Sequence, residues 1–353
     1  MKIMLLIGDI TIGGGAERVV VNLANAFNEL GYEISIFSFY KEYEKISYDI
    51  NKNIKIEFLH QKSQKYMRKN LFYKLFYKYY ESYILKQKYK DIDIMIYNNC
   101  PHFPFFKNKN TKYINLIHSK FKKYRKRNDY FDNLVILSNK QINEWKKYHK
   151  NINVIPNFIP FISEKTSDYK QKNILSIGRM TSNDEKGFLR LIEIWKMVQK
   201  DKKYQNWTLT IVGEGELKNT IKEKIKENKL KNIILKPFTK EIEKEYLNAS
   251  IYVMTSKWEG FGMVLIESAN YQFPSIAFDI NTGPSDIIEN EKSGFLINDG
   301  DLDGFANKLY VLMDDENLRK TMGGGAKDIV ETKFSKEVII QKWEKLFKDL
   351  NIF

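Results

Sequence analysis

Lys2-Ile3-Met4-Leu5-Leu6-Ile7-Gly8 is followed by Gly13-Gly14-Gly15, a segment at 16–29 closed by Gly31, and Ile34-Ser35-Ile36-Phe37-Ser38-Phe39. The outer two segments are short apolar runs of the kind a buried strand carries, and residues 16–29 have the length of about four helical turns. A parallel strand pair needs a crossover connection, so strand, glycine loop, helix and strand in this order open a doubly wound parallel sheet. Residues 92–97, 113–117 and 134–137 read as further short strands. Residues 153–160 hold two prolines in a short apolar run and read as a linker.

The pattern then restarts. Residues 173–177 read as a strand, 178–187 as a loop, and 188–200 as a helix with Leu191, Ile194, Trp195 and Val198 at helical spacing. Strands at 208–212, 233–235, 251–255 and 274–278 follow, with helices at 216–228 and after Phe261. The expected fold class is α/β, with two Rossmann-like doubly wound parallel-sheet domains facing across a cleft. Ligands of such sheets bind outside the carboxyl ends of the strands. The expected domains are residues 1–157 and 158–333.

The chain has 353 residues, enough for two cores, and its 43% hydrophobic and 29% charged residues mark a globular protein. The single Cys100 cannot form an internal disulfide, and Asn98-Asn99-Cys100-Pro101-His102 lacks metal-ligand spacing, so a reducing compartment is expected. The apolar run at Met1–Gly8 is too short for a signal peptide, and no stretch approaches the roughly 20 apolar residues of a membrane span. Residues 1–155 carry 28 Lys+Arg against 14 Asp+Glu, whereas 156–353 carry 30 of each. The whole net charge of +14 therefore sits in the first half. That half is expected to meet something anionic: a membrane surface, a phosphate-bearing acceptor or nucleic acid.

The chemistry concentrates in Ser256-Lys257-Trp258-Glu259-Gly260-Phe261-Gly262-Met263-Val264-Leu265-Ile266-Glu267. A glycine loop between a strand and a helix leaves backbone amides at a helix N-terminus, which suits an anion. Glu259 and Glu267 would lie about 12 Å apart if the spacing were helical throughout. That separation suits one carboxylate on sugar hydroxyls and the other on ribose hydroxyls. The plainer reading makes them a loop carboxylate and an ordinary helix glutamate. Arg179, with Lys186-Gly187 seven residues on, offers two cations from one strand-to-helix loop for a diphosphate leaving group; solvated surface cations are the alternative. Gly213-Glu214-Gly215 reads as a turn at the same sheet edge. Gly13-Gly14-Gly15 lacks the third spaced glycine of the dinucleotide fingerprint, yet offers backbone that a phosphate or acceptor can approach closely. His118, after the strand at 113–117, is either a contact to the transferred sugar or a packing residue. Gly283-Pro284-Ser285-Asp286 is either a loop closing on the donor or a structural turn.

Together these residues resemble the retaining family-4 glycosyltransferases of the GT-B fold. The resemblance spans nearly the whole chain, through Gly14-Gly15-Ala16-Glu17, Gly178-Arg179, Lys186-Gly187, and Glu259-Gly260-Phe261-Gly262 to Glu267. Gly283-Pro284-Ser285-Asp286 is similar to members that build bacterial surface glycans from UDP-hexoses or UDP-N-acetylhexosamines. The resemblance implies that Arg179 and Lys186 hold the donor diphosphate and Glu267 the ribose. Glu259 and the amides of Phe261 and Gly262, within the donor-binding run Gly260 to Val264 that includes Met263, would address the sugar. Gly14 and Gly15 would approach the phosphate, and His118 would meet the sugar from the other domain. It implies a UDP-sugar donor, no cofactor and no metal, and a C-terminal helix within 334–353 that crosses back onto the first domain. Asp91-Ile92-Asp93 precedes a strand and reads as solvated.

Residues 62–90 carry nine Lys/Arg and one acid, Glu81, interleaved with Phe72, Tyr73, Phe76, Tyr77, Tyr79, Tyr80 and Tyr83. Leu71, Leu75, Phe76, Tyr79 and Tyr83 fall near helical spacing, and residues 107–127 add nine more cations. Such a basic aromatic helix suits the headgroup layer of an anionic membrane; a solvated face over core aromatics is the plainer reading. A cytoplasmic enzyme held peripherally at the inner face of the membrane, near a lipid-linked or lipopolysaccharide acceptor, is expected. Nucleic-acid binding is the rival, but it leaves the neutral second half and its glutamates unexplained. A sugar-nucleotide epimerase or a phosphorylase is the third reading.

Overall fold

The computed structural model describes residues 1–98 and 101–350, so Cys100 and the last three residues of the expected C-terminal segment lie outside the described residues. The chain divides into two compact units, Met1–Pro160 with Lys336–Phe353, and Phe161–Ser335.

The first unit holds seven strands: β1 (Lys2–Ile7), β2 (Glu33–Ser38), β3 (Lys55–Phe58), β4 (Ile94–Asn98), β5 (Lys112–Ile117), β6 (Asn133–Ile136) and β7 (Ile152–Val154). They pair in the order β3-β2-β1-β4-β5-β6-β7, every pairing parallel. Ile3, Leu5 and Leu6 of the central strand are wholly buried, as expected for a strand covered on both faces. The helix Gly15–Glu29 buries Val20, Ala24 and Phe27. The helix Lys336–Asp349 sets Trp343 and Phe347 against Phe27, with ring centroids 6.0 and 5.5 Å away.

Two strands here depart from the sequence reading. β3 carries Lys55 and Glu57 between its apolar residues, so its pattern is that of a partly exposed edge strand. β7 runs into the stretch read as a linker: Asn153 and Val154 pair with β6, and only the residues after them form the connection.

The second unit holds β8 (Asn173–Ile177), β9 (Thr208–Val212), β10 (Ile233–Lys236), β11 (Ile251–Met254), β12 (Ser275–Asp279) and β13 (Gly294–Asn298). Their order is β10-β9-β8-β11-β12-β13, again all parallel. Its core packs Ile174, Leu191, Trp195, Ile211, Val253, Phe278, Phe305 and Leu309. Helices Leu302–Asp314 and Glu316–Ile329 complete the unit.

Both sheets share one feature that positions a site. The chain leaves the first strand toward one edge, then returns to its other side, so the order reverses between β1 and β4 and between β8 and β11. At such a switch point the connections depart in opposite directions, which opens a crevice at the carboxyl ends of those strands.

Candidate active site

In the second unit the loops that leave β8 and β11 meet at the switch point. Lys186 Nζ lies 2.6 Å from Glu259 Oε1, and Ser256 Oγ donates to the same oxygen at 2.7 Å. Thr282 Oγ1 donates to the Glu259 carbonyl at 2.5 Å. Glu259 is buried at 7% exposure, so a cation and a hydroxyl, rather than water, satisfy its carboxylate.

Close backbone approach sets this geometry. Gly187 has φ +66°, and a Cβ there would stand 1.8 Å from the Thr255 carbonyl oxygen. Only glycine lets the start of the helix Phe188–Val198 press against the end of β11. Arg190, in the first turn of that helix, donates Nε to Thr255 O at 2.5 Å, a second nitrogen to Ser256 O, and a third to Asp299 at 2.6 Å. Its guanidinium lies 4.1 Å from the centroid of the Phe278 ring. The peptide leading to Glu259 is thereby fixed from below. The polar loop before Lys186 is ordered by buried Asp184, which accepts from Phe188 N at 2.7 Å and pairs with Lys257 at 3.1 Å.

The helix Met263–Asn270 begins after Gly262, whose φ is +95°, and no side chain caps it. Residues 259–262 therefore form a loop, and the separation expected for continuous helix between Glu259 and Glu267 does not apply. Glu267 is buried and accepts from Tyr246 OH at 2.8 Å. The Phe261 side chain packs inward against Phe334, while Gly260, Met263 and Val264 stay half-buried. Tyr252, wholly buried, has its hydroxyl 3.3 Å from Ile177 N. Burial drives its phenol well above the usual range, and the negative fields of Glu259 and Glu267 add to the shift, so it stays neutral.

Arg179 is exposed beside this pair and makes no ion pair among the described residues. The Lys186 stem crosses Gly178, where a Cβ would stand 2.7 Å from Lys186 Cγ. The turn Gly213-Glu214-Gly215 backs onto the same loop, with Met180 N donating to Glu214 O at 2.8 Å. The loop after β12 closes the set: a Cβ on Gly283 would stand 2.3 Å from Phe261 O. Ser285 Oγ, in the short helix Pro284–Ile287 that follows, is buried without a hydrogen-bond partner among the described residues. One sheet edge thus gathers the loops bearing Arg179, Lys186 and Glu259 and the short helix bearing Ser285, with Glu267 one helix turn beyond Met263.

The remaining expected residues lie in the first unit. Gly14 N donates to Glu17 Oε2 at 2.9 Å at the start of the helix Gly15–Glu29. A Cβ on Gly15 would meet no atom within 4 Å, so nothing in the folded chain demands glycine there. His118 follows β5, half-buried, with Nε2 3.2 Å from Asn98 Oδ1. Burial pushes its pKa down to about 4, so the ring is neutral at neutral pH. Asp91 and Asp93 are used on Lys2, through Nζ and the backbone amide, both at 2.7 Å.

Sequence reasoning passed over Arg190, Asp184, Tyr246 and Tyr252. Arg190 alone left a signal, as the single charge in the opening turn of an apolar helix.

The topology is that of the GT-B fold. The crystal structure of a TarM point mutant from S. aureus, in complex with Fondaparinux, alpha-GlcNAc-glycerol and UDP, superposes with a TM-score of 0.79 at 20% identity, over 98% of this chain and 99% of that one. Residues 158–329 match the family described as Glycosyl transferases group 1. The amylovoran biosynthesis glycosyltransferase AmsD of Erwinia amylovora is 37% identical over 206 residues, 56% of each chain, so the match spans about half of that relative. An uncharacterized glycosyltransferase of Haemophilus influenzae is 28% identical over 97% of this chain and 99% of its own. These matches show the GT-B fold and a similarity, over residues 158–329, to group 1 glycosyltransferases. They do not favour a nucleic-acid-binding protein, an epimerase or a phosphorylase.

Proposed function

We propose that this chain transfers a hexose or N-acetylhexosamine from a UDP-sugar to a lipid-linked or lipopolysaccharide-type saccharide acceptor, with retention of configuration and without a metal. The observation that carries the reading is the Lys186–Glu259 pair at the switch point of the second sheet, with exposed Arg179 beside it. In this reading Phe161–Ser335 is the donor unit and the first unit serves the acceptor.

Arg179 and Lys186 receive the diphosphate. Charge builds on the phosphate oxygens as the glycosidic bond breaks, and fixed cations stabilise that state more than the ground state. Glu267 accepts from the ribose hydroxyls. Glu259 and the amides from Gly260 to Val264 hold the sugar, with the uncapped helix N-terminus favouring the anion beside it. Gly14 and Gly15 leave room for the phosphate on the side of the first unit, and neutral His118 acts as a hydrogen-bonding group toward the sugar. Retention by same-face attack, with the departing phosphate taking the acceptor proton, suits a site whose two glutamates are already committed to binding.

The first unit supports a peripheral membrane position. The helix Leu71–Lys88 leaves Leu71, Phe72, Leu75, Phe76, Tyr79, Tyr80 and Tyr83 exposed among its lysines. Amphipathic aromatics with cations partition into an anionic headgroup layer. No helix among the described residues is long and apolar enough to cross a membrane.

The test is incubation with UDP-, GDP- and ADP-linked hexoses and N-acetylhexosamines plus a bacterial lipid extract, following nucleotide release and label in the lipid phase. A UDP-sugar is expected to be consumed. Turnover of only GDP- or ADP-sugars would overturn the donor assignment.

A further inference from the structure

The two glutamates of the second unit are presented by different pieces of chain, and each has its own support. Glu259 stands in the loop after β11, and Glu267 in the helix Met263–Asn270.

The contacts around Glu259 form a closed circuit. Arg190 Nε donates to Thr255 O at 2.5 Å and a second nitrogen donates to Ser256 O, so one guanidinium holds two consecutive carbonyls. Thr255 Oγ1 donates in return to Gly187 O at 2.9 Å. Lys257 N donates to Glu185 O at 2.8 Å, on the other side of Lys186. Ser256 Oγ then reaches Glu259 Oε1, the oxygen on which Lys186 Nζ closes the ring. The third nitrogen of Arg190 goes to Asp299 in the loop after β13, and the guanidinium lies 4.1 Å from the Phe278 ring centroid. One largely buried side chain thus ties the loop after β11 to the helix after β8 and to the loop after β13. Its partners are carbonyls and a carboxylate of the protein itself, so unlike exposed Arg179 it supports the site from behind.

Glu267 is held from another element. Tyr246, buried in the helix Ile242–Leu247, donates its hydroxyl to Glu267 Oε2 at 2.8 Å. Its ring stacks on Tyr271, which ends the helix that carries Glu267, with centroids 5.2 Å apart, and it also meets Phe273 at 6.1 Å. Packing on these rings fixes where the hydroxyl sits.

We propose that Arg190 and Tyr246 are positioning residues for opposite ends of the donor: Arg190 for the transferred sugar and its phosphate, through Glu259 and Lys186, and Tyr246 for the ribose, through Glu267. Groups beside the reacting bond act mainly in the transition state, where a misplacement of about 1 Å costs about 100-fold in rate. Groups on the ribose grip ground state and transition state alike, so their loss raises KM and spares kcat. The inference rests on the donor reading proposed above and adds which residues hold each end.

The experiment measures UMP affinity by calorimetry, and kcat and KM for the UDP-sugar consumed with lipid extract, on the full chain and on R190K, Y246F and D299N, with a melting curve for each. R190K keeps the charge but not the planar fork, and is expected to lose about tenfold or more in kcat while UMP affinity stays within about twofold. Y246F keeps the stacked ring, and is expected to weaken UMP about fivefold or more, to raise KM with it, and to leave kcat within about threefold. An R190K with normal kcat, or one whose UMP affinity falls in step with kcat, overturns the role of Arg190. Should R190K not fold, D299N decides, since it removes only the half-exposed outer hold on the guanidinium. A fall of about threefold or more in its kcat at unchanged UMP affinity then supports the role, and a normal kcat overturns it. Unaltered UMP affinity in Y246F overturns the role of Tyr246. An unaltered protein that binds GMP or AMP in place of UMP strikes the donor assignment instead, and the same variants are then read with that nucleotide, so the two failures are distinguishable.

Discussion

Lys186 and Glu259, 73 residues apart in sequence, meet at 2.6 Å across the two loops that flank the strand-order reversal of the second sheet. The contact joins a loop that a donor diphosphate would enter to a loop that would hold its sugar. It keeps the lysine extended toward the crevice and gives the buried carboxylate a counter-ion.

Removing one partner separates binding from folding. Lys186→Ala leaves Glu259 with the Ser256 hydroxyl but no cation. Lys186 is about a quarter exposed, so the stability loss is expected at roughly 1–3 kcal/mol, below that of a fully buried pair. Transfer should fall by about 100-fold or more, because the cation is needed where charge develops. Urea unfolding with initial-rate assays checks both; near-normal turnover contradicts the role.

Two glycines should respond in opposite ways. Gly187→Ala forces a Cβ into the Thr255 carbonyl at a left-handed backbone position and should destabilise the second unit by about 2–4 kcal/mol. Gly15→Ala meets open space and should leave the melting temperature unchanged while lowering kcat/KM by about tenfold. A fully active Gly15→Ala would remove that residue from the donor site.

His118 gives the chain a pH dependence of defined sign. Its pKa falls from 6.5 in the unfolded chain to about 4 in the folded one, through burial of the neutral ring. The unfolded state therefore binds the proton more readily between those values. The stability that neutral His118 contributes is fully present above about pH 6.5 and is lost as pH falls through that window toward 4. Proton NMR of the ring should show no titration near 6.5, and His118→Asn should flatten the stability slope over pH 6.5 to 4. A midpoint near 6.5 contradicts the assignment.

The exposed ridge should govern membrane partitioning. Replacing Phe72, Phe76 and Tyr80 with serine is expected to cut binding to phosphatidylglycerol vesicles by about tenfold or more without lowering the melting temperature, since all three are exposed. Neutralising Lys65, Lys69 and Lys74 should weaken the same binding and reduce its salt dependence. Unchanged partitioning in both would refute the membrane position.

The central strands were legible because strands covered on both faces read as unbroken apolar runs, as in Ile3 to Ile7 and Ile251 to Met254. β3 and β7 were not, because an edge strand alternates polar residues and needs only three or four of them. Glu259 and Lys186 stood out through their glycines. Arg190 did not, since its work depends on Thr255 and Asp299, 65 and 109 residues away, and no local pattern encodes such partners. The aromatics at helical spacing in 71–83 suited either core or surface. The structure turns Leu71, Leu75, Phe76, Tyr79 and Tyr83 outward and buries Tyr77 and the one acid, Glu81, beside histidines from two other loops.

The most direct test of the account is a crystal structure of the chain with UDP bound. The diphosphate should lie within hydrogen-bond distance of Arg179 and Lys186, with the ribose hydroxyls on Glu267. UDP seated elsewhere, or bound with those three side chains making no contact to it, would contradict the account.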